Sequence, residues 1–204
     1  MSAQIPVKHP FNRVSTFIFL AVFSVFFSTA TVARQLDEVT LPDKVTLPGT
    51  DTELQLNGMG YRTKFIFKVY VGALYTEKNV DSRDAAQALK GPKRVLMHMV
   101  HDEVERKKIT DGWSEGFEEN NSDEQLEKLQ ARLNTFNAFF PDLKAGDVLT
   151  FDYIPASGTR LVINGEEKGV IEGADFYAAL LDVWLGEEPA DEDLKEAMLG
   201  EEED

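Results

Sequence analysis

An α+β fold built on an antiparallel sheet is what the sequence predicts, on three observations. Runs of β-branched and aromatic residues punctuated by glycine crowd residues 53–76 and return between 146 and 171, which is strand composition. Elsewhere large apolar residues recur at helical spacing, as Ile109, Trp113 and Phe117 do. The two kinds of segment fall in blocks rather than alternating one for one, which excludes a regular parallel βαβ arrangement and points to α+β.

Taken in order, residues 34–52 hold three prolines or glycines and few periodic apolar positions, so a lead-in with one short strand is expected. Residues 53–57 and 61–76 read as two or three antiparallel strands. Residues 64–69 are apolar on both faces, which argues against a solvated edge. Residues 84–89 form a short helix stopped by Gly91-Pro92. Residues 94–100 form a strand with Val95, Met97 and Met99 on one face and Leu96, His98 and Val100 on the other, hence covered on both sides. Asp102 with Glu105 reads as a capping box that opens the helix of Ile109, Trp113 and Phe117. Gly112 and Gly116, beside that stripe, read as points of close packing. Ser122 with Gln125 is a second capping box, opening a helix that aligns Leu126, Leu129, Leu133 and Phe136 and ends near Pro141. Residues 146–154 and 159–163 are strands, and Asn164-Gly165 is a strong hairpin signal leading into 169–171. Two helices close the chain, 174–185 stopped by Gly186 and 191–199 stopped by Gly200.

Residues 1–33 have the form of an export leader. Lys8 and Arg13 give a positive start, residues 16–27 an apolar core, and Thr31 and Ala33 the small residues that precede a cut after Ala33. The apolar run is shorter than the roughly 20 residues a spanning helix needs, so a cleaved leader and a periplasmic or secreted protein are expected, with no stable membrane insertion. Cleavage removes two bases and no acid, leaving 19 bases against 36 acids, a net charge of −17. That balance argues against nucleic acid or an anionic membrane as partner. The chain has no cysteine, which excludes disulfides, thiol catalysis and thiolate metal sites, and leaves packing to hold an exported domain together. The organisation expected is a leader over 1–33, one domain over 34–200 and a solvated acidic tail over 201–204. Nothing in the sequence sets the oligomeric state.

Few chemical motifs are present. His98 and His101, three apart at a strand end, point to opposite faces, so no metal site is expected. No glycine-rich phosphate loop and no Gly-x-Ser-x-Gly occurs, and no cofactor is expected. What remains is Asn57-Gly58-Met59-Gly60-Tyr61-Arg62 followed by Val69-Tyr70-Val71-Gly72-Ala73-Leu74-Tyr75. An arginine entering such a sheet needs an anionic or polar partner for its five donors. On the residues alone, a structural bridge to a carboxylate accounts for Arg62 somewhat better than a ligand does. If the partner is a ligand, a guanidinium fork and a phenol from Tyr70 suit the head of an amphipathic carboxylate, its tail buried among apolar side chains.

The same residues resemble the chalcone isomerase-like family, in its bacterial exported branch. The pattern stands here as Leu56 to Arg62 and Val69 to Tyr75, and continues through Asp111-Gly112-Trp113, Asn164-Gly165, Trp184-Leu185-Gly186-Glu187-x-Pro189 and Leu194-Lys195. The resemblance implies an open-faced β-sandwich, a large antiparallel sheet covered by a layer of helices with a ligand cleft between. Plant chalcone isomerases of this family add a phenolate across an enone, using an arginine that Arg62 matches and a threonine whose position is Tyr70 here. Their Tyr-Ser-x-Lys segment has no counterpart before Trp113, where the chain reads His101 to Arg106. The plastid fatty-acid-binding relatives keep the arginine and carry a tyrosine that Tyr70 matches. The resemblance therefore implies a non-catalytic binder of a small amphipathic ligand, a fatty acid or phenolic, held by Arg62 and Tyr70. The alternatives are an intramolecular lyase acting on a chalcone-like enone through the same two residues, and a structural protein with no ligand.

Overall fold

The computed structural model describes Met1 and residues 33–201; the rest of the expected leader and the last three residues of the acidic tail lie outside the described part. Three short strands come first, β1 (Ala33–Leu36), β2 (Val39–Pro42) and β3 (Lys44–Thr46), where one was expected. Pro42 ends a strand and Pro48 follows one, so the prolines bound strands here rather than precluding them. The next strand, β4 (Glu53–Lys64), runs unbroken through Asn57, Gly58 and Gly60, and the two-residue turn Phe65-Ile66 returns the chain in β5 (Phe67–Thr76). The expected solvent exclusion of residues 64–69 is overturned at that turn. Phe65, Ile66 and Phe67 project into water at the tip of the hairpin.

After helix α1 (Arg83–Ala88) come β6 (Lys93–Met99) and the short β7 (Glu103–Val104), which occupies the place of the expected Asp102–Glu105 capping box. Helix α2 (Arg106–Asn120) has no side-chain cap from Glu105; Asp142, 36 residues on, receives the N–H of Arg106 at 2.7 Å instead. Helix α3 (Asp123–Asn137) does open on the Ser122–Gln125 capping box. β8 (Leu143–Lys144) precedes β9 (Val148–Ile154), β10 (Gly158–Ile163) and β11 (Glu166–Ile171). Asn164 and Gly165 both take positive φ between the last two, as a type I′ turn requires. Helices α4 (Ala174–Leu185) and α5 (Glu192–Met198) finish the chain.

Seven strands make one antiparallel sheet in the order β11-β10-β9-β6-β5-β4-β3. Alternation sends Tyr70, Leu74, Val95, Met97 and Met99 to the face covered by helices. There Trp113 lies 5.4 Å from the rings of both Phe151 and Trp184, at the centre of an aromatic cluster that Phe117, Phe136, Phe140 and Phe176 extend. Val71, Ala73, Tyr75 and Leu96 face the other way and pack with Val39 and Leu41 of β2, Leu47 just after β3, and Leu54 of β4. Strand β6 is thus covered on both sides, as its composition predicts. Both core clusters are built from residues 39–199.

The glycines that looked like strand breaks serve a contact. Helix α5 lies directly on β4: a Cβ on Gly58 would meet the carbonyl oxygen of Ala197 at 1.9 Å, and one on Gly60 would meet the Ala197 Cβ at 2.6 Å. Beside them the Asn57 amide donates to the carbonyls of Met198 and Val80, both at 2.8 Å, and its oxygen accepts the N–H of Val80. At the other end of the helix Asp191 caps Leu194 and accepts the N–H of Thr63 at 2.7 Å. Because Gly58 has no positive φ, Gly58→Ala tests space alone. It is expected to destabilise the protein by about 3 kcal/mol, the upper end of the overpacking range, as measured by urea unfolding.

Candidate ligand-binding site

Arg62 and Tyr70 are direct cross-strand partners of β4 and β5, so both side chains leave the sheet on its helix-covered face. The guanidinium carbon lies 5.9 Å from the centre of the phenol ring. Strand register, which the sequence leaves open, is fixed here by the exposed turn at Phe65-Ile66 and by a bulge between Arg62 and Thr63.

The partners of these two side chains decide what they can do. Four described arginines are at least partly buried: Arg62, Arg94, Arg132 and Arg160. Arg94 and Arg160 both grip Asp152, at 2.6 and 2.9 Å, and Arg132 pairs with Asp175 at 2.6 Å. The Arg62 side chain makes no hydrogen bond or ion pair among the described residues. The structural bridge that residue types alone favoured is therefore not formed there. Tyr70 is 4% exposed, and its oxygen accepts the indole N–H of Trp184 at 2.9 Å. An indole nitrogen only donates, so the phenol proton stays available, and no described residue accepts it. Burial pushes the Tyr70 pKa up to about 12, against the pull of Arg62 and the Trp184 bond in the other direction. At neutral pH Tyr70 is a hydrogen-bond donor and not a phenolate.

Both groups line a cleft of about 540 Å³ between the sheet and helix α2, with Val183 of α4 also on its wall. Its apolar lining includes Val69, Met97, Val104, Ile109 and Trp113. The Trp113 Nε1–H is buried and has no partner among the described residues. Of the two glycines expected to allow close packing, Gly116 does so, since a Cβ there would meet Val183 at 2.8 Å. Gly112 does not: a Cβ there would meet nothing within 4 Å. It lines the cleft, where the missing side chain leaves room. A larger cavity of about 940 Å³ opens beside α1 and the end of α5, but its buried amide, Asn57, is already bonded to Val80 and Met198. The smaller cleft has donors without partners, and for that reason it is the stronger candidate.

The two histidines separate as their spacing predicts. His98 lies in β6, whereas His101 lines the cleft and stacks on Phe67 at 5.9 Å. Sequence reasoning placed Trp113 on an apolar helical stripe and Trp184 only in the family pattern, and missed the polar edges of both. Trp184 meets Tyr70 across 114 positions of sequence, a contact with no local signal. Gly112 did carry one, because a mid-helix glycine costs about 1 kcal/mol against alanine and calls for a reason.

A large antiparallel sheet with helices on one face and a cleft between them is the open-faced β-sandwich layout. The chain belongs to the chalcone isomerase-like family, whose sequence model matches residues 33–200. Among solved structures it is similar to a fatty-acid binding protein of Arabidopsis thaliana, with a TM-score of 0.61 at 16% identity, over 83% of this chain and 95% of that one. No curated protein matches the sequence significantly.

Two outcomes follow from the geometry. Gly112→Ala is expected to raise stability by up to about 1 kcal/mol in chemical denaturation, since it restores helix propensity and meets no neighbour. Alkaline titration is expected to couple ionisation to unfolding. Burial holds Tyr70 and Tyr75 at about 12, against the ordinary 10 of the unfolded chain. Their contribution to stability is complete below pH 10 and is lost as pH rises from 10 through 12. Phenolate absorbance from these residues should appear together with loss of near-ultraviolet circular dichroism, not before it.

Proposed function

We propose that this protein is an exported, non-catalytic binder of a small amphipathic carboxylate such as a fatty acid, held by Arg62 and Tyr70. The observation that carries the reading is the pairing of two unmatched donors on adjacent strands at the wall of one cleft, whose lining combines apolar side chains with Lys64, Lys108, Glu103, Asp111 and Glu115. A carboxylate accepts two parallel bonds from a guanidinium and a third from a phenol. Behind the head, Val69, Met97, Ile109 and Val183 offer an apolar wall for a tail. A dozen buried methylenes contribute about 10 kcal/mol gross at about 0.8 kcal/mol each, reduced by the cost of ordering the chain. The volume falls in the roughly 300–1,000 Å³ range of small-molecule sites. Fatty-acid binding in the Arabidopsis protein of similar fold supports the same reading. The leader-like form of residues 1–33 supports action in the periplasm or outside the cell.

Native mass spectrometry of the protein recovered from the cell envelope, with organic extraction, tests this. A retained fatty acid or related acid is expected, together with an N-terminus near Arg34. Arg62→Ala should weaken fatty-acid binding by about 10- to 100-fold, the worth of a charge-assisted hydrogen bond. Gly112→Leu, which fills the cleft but leaves the helix intact, should weaken it by at least as much. An empty protein whose fatty-acid affinity ignores both substitutions overturns the proposal, and turnover of an enone would replace it with the isomerase reading.

A further inference from the structure

The most exposed large apolar side chains of the described residues, the chain terminus aside, are consecutive. Phe65, Ile66 and Phe67 are 89, 85 and 56% exposed, and they form the tip of the β4–β5 hairpin. Their backbone makes the exposure more telling. Phe65 sits at φ 59, the first position of a two-residue hairpin loop, where glycine is the residue without strain. A bulky aromatic there works against both solvation and local conformation, so packing within this chain does not explain it. Such a combination marks a surface selected for contact.

Three side chains at a hairpin tip are far fewer than the roughly 20–30 residues a side of a stable protein interface. They suit a bilayer, which receives a small wedge without a complementary shape. Lysines bracket the tip in sequence, as Lys64-Phe65-Ile66-Phe67-Lys68. Long basic side chains beside a buried apolar wedge keep their charges at headgroup phosphates. Lys68 is held by Asp37 at 2.9 Å, whereas Lys64 has no ion pair among the described residues. The acidic balance of the chain as a whole argues against electrostatic adsorption, and an apolar wedge does not need it.

We propose that the Phe65-Ile66-Phe67 tip is a bilayer-docking element that seats the mouth of the cleft at headgroup level. Phe65 and Phe67 also line the cleft, so a tip in the interface brings the Arg62 cleft to the lipid surface. The inference concerns the tip alone and stands whether or not the cleft holds a carboxylate.

Residues 34–204, which contain both core clusters, carry the test. In a Phe65→Trp variant, the emission of the new indole should shift to the blue when vesicles of phosphatidylethanolamine with a minor share of phosphatidylglycerol are added. Adding Ile66→Ser and Phe67→Ser should weaken that binding at least about tenfold. Phe65→Gly should raise Tm, by relieving the positive φ, and at the same time reduce co-sedimentation with the vesicles. No spectral shift at lipid excess overturns the proposal, as does a shift that ignores the serine substitutions. A concentration-dependent dimer in sedimentation velocity, without a lipid response, also overturns it and assigns the tip to a second copy of the chain.

Discussion

The seating of helix α5 on the bare backbone of β4 is the constraint from which the site follows. Glycine at 58 and 60 lets the helix come within carbonyl distance of the strand, and Asn57 ties its last turn down. Asp191 ties its first turn to Thr63, one residue beyond Arg62. The strand that carries Arg62 is therefore held from above along most of its length. Past Asp191 that cover ends, and the next helix over the sheet, α2, presents Gly112 to the open space. Close contact at one end and a missing side chain at the other define where the cleft lies.

Charge is distributed in a way that sets this region apart. The chain is strongly acidic, and its partly buried arginines are matched to carboxylates, most tightly in the Arg94–Asp152–Arg160 group on the sheet. Breaking a buried ion pair of that kind leaves an uncompensated charge. Arg62 is left out of this pattern although acids are plentiful. Beside it Tyr70 accepts one bond and offers another, a polarity imposed by the donor-only chemistry of the Trp184 indole. The result is a pair of unmatched donors side by side at the wall of the cleft.

Much of the fold was legible because it is local. Alternation along β6, the Ser122–Gln125 box, the Asn164-Gly165 turn and the glycine stops of α4 and α5 each rest on a few neighbouring residues and read correctly. Two of the failures show what local reading misses. Gly58 and Gly60 were read as punctuation because their reason, Ala197, lies some 140 positions away along the chain. The hairpin turn was invisible because it has no turn residues: Phe65-Ile66 looks like strand interior, and only the backbone shows otherwise. For the site, the residue types of Arg62 and Tyr70 could be singled out, but their facing geometry depends on register. The contributions of Trp184 and Gly112 depend on tertiary contact or its absence.

The bond between Asn57 and the carbonyl of Met198 spans 141 positions, and it has a consequence for the order of events in folding. Strand β4 sits beside β5 and needs α5 to cover its glycines, yet α5 is made well over a hundred residues later. A nascent chain of this protein holds an incomplete helical layer until α5 has emerged. Contacts of such long range slow folding, because loop closure precedes the burial that rewards it. Until that closure, the bare backbone of β4 at Gly58 and Gly60 lacks the helix that covers it.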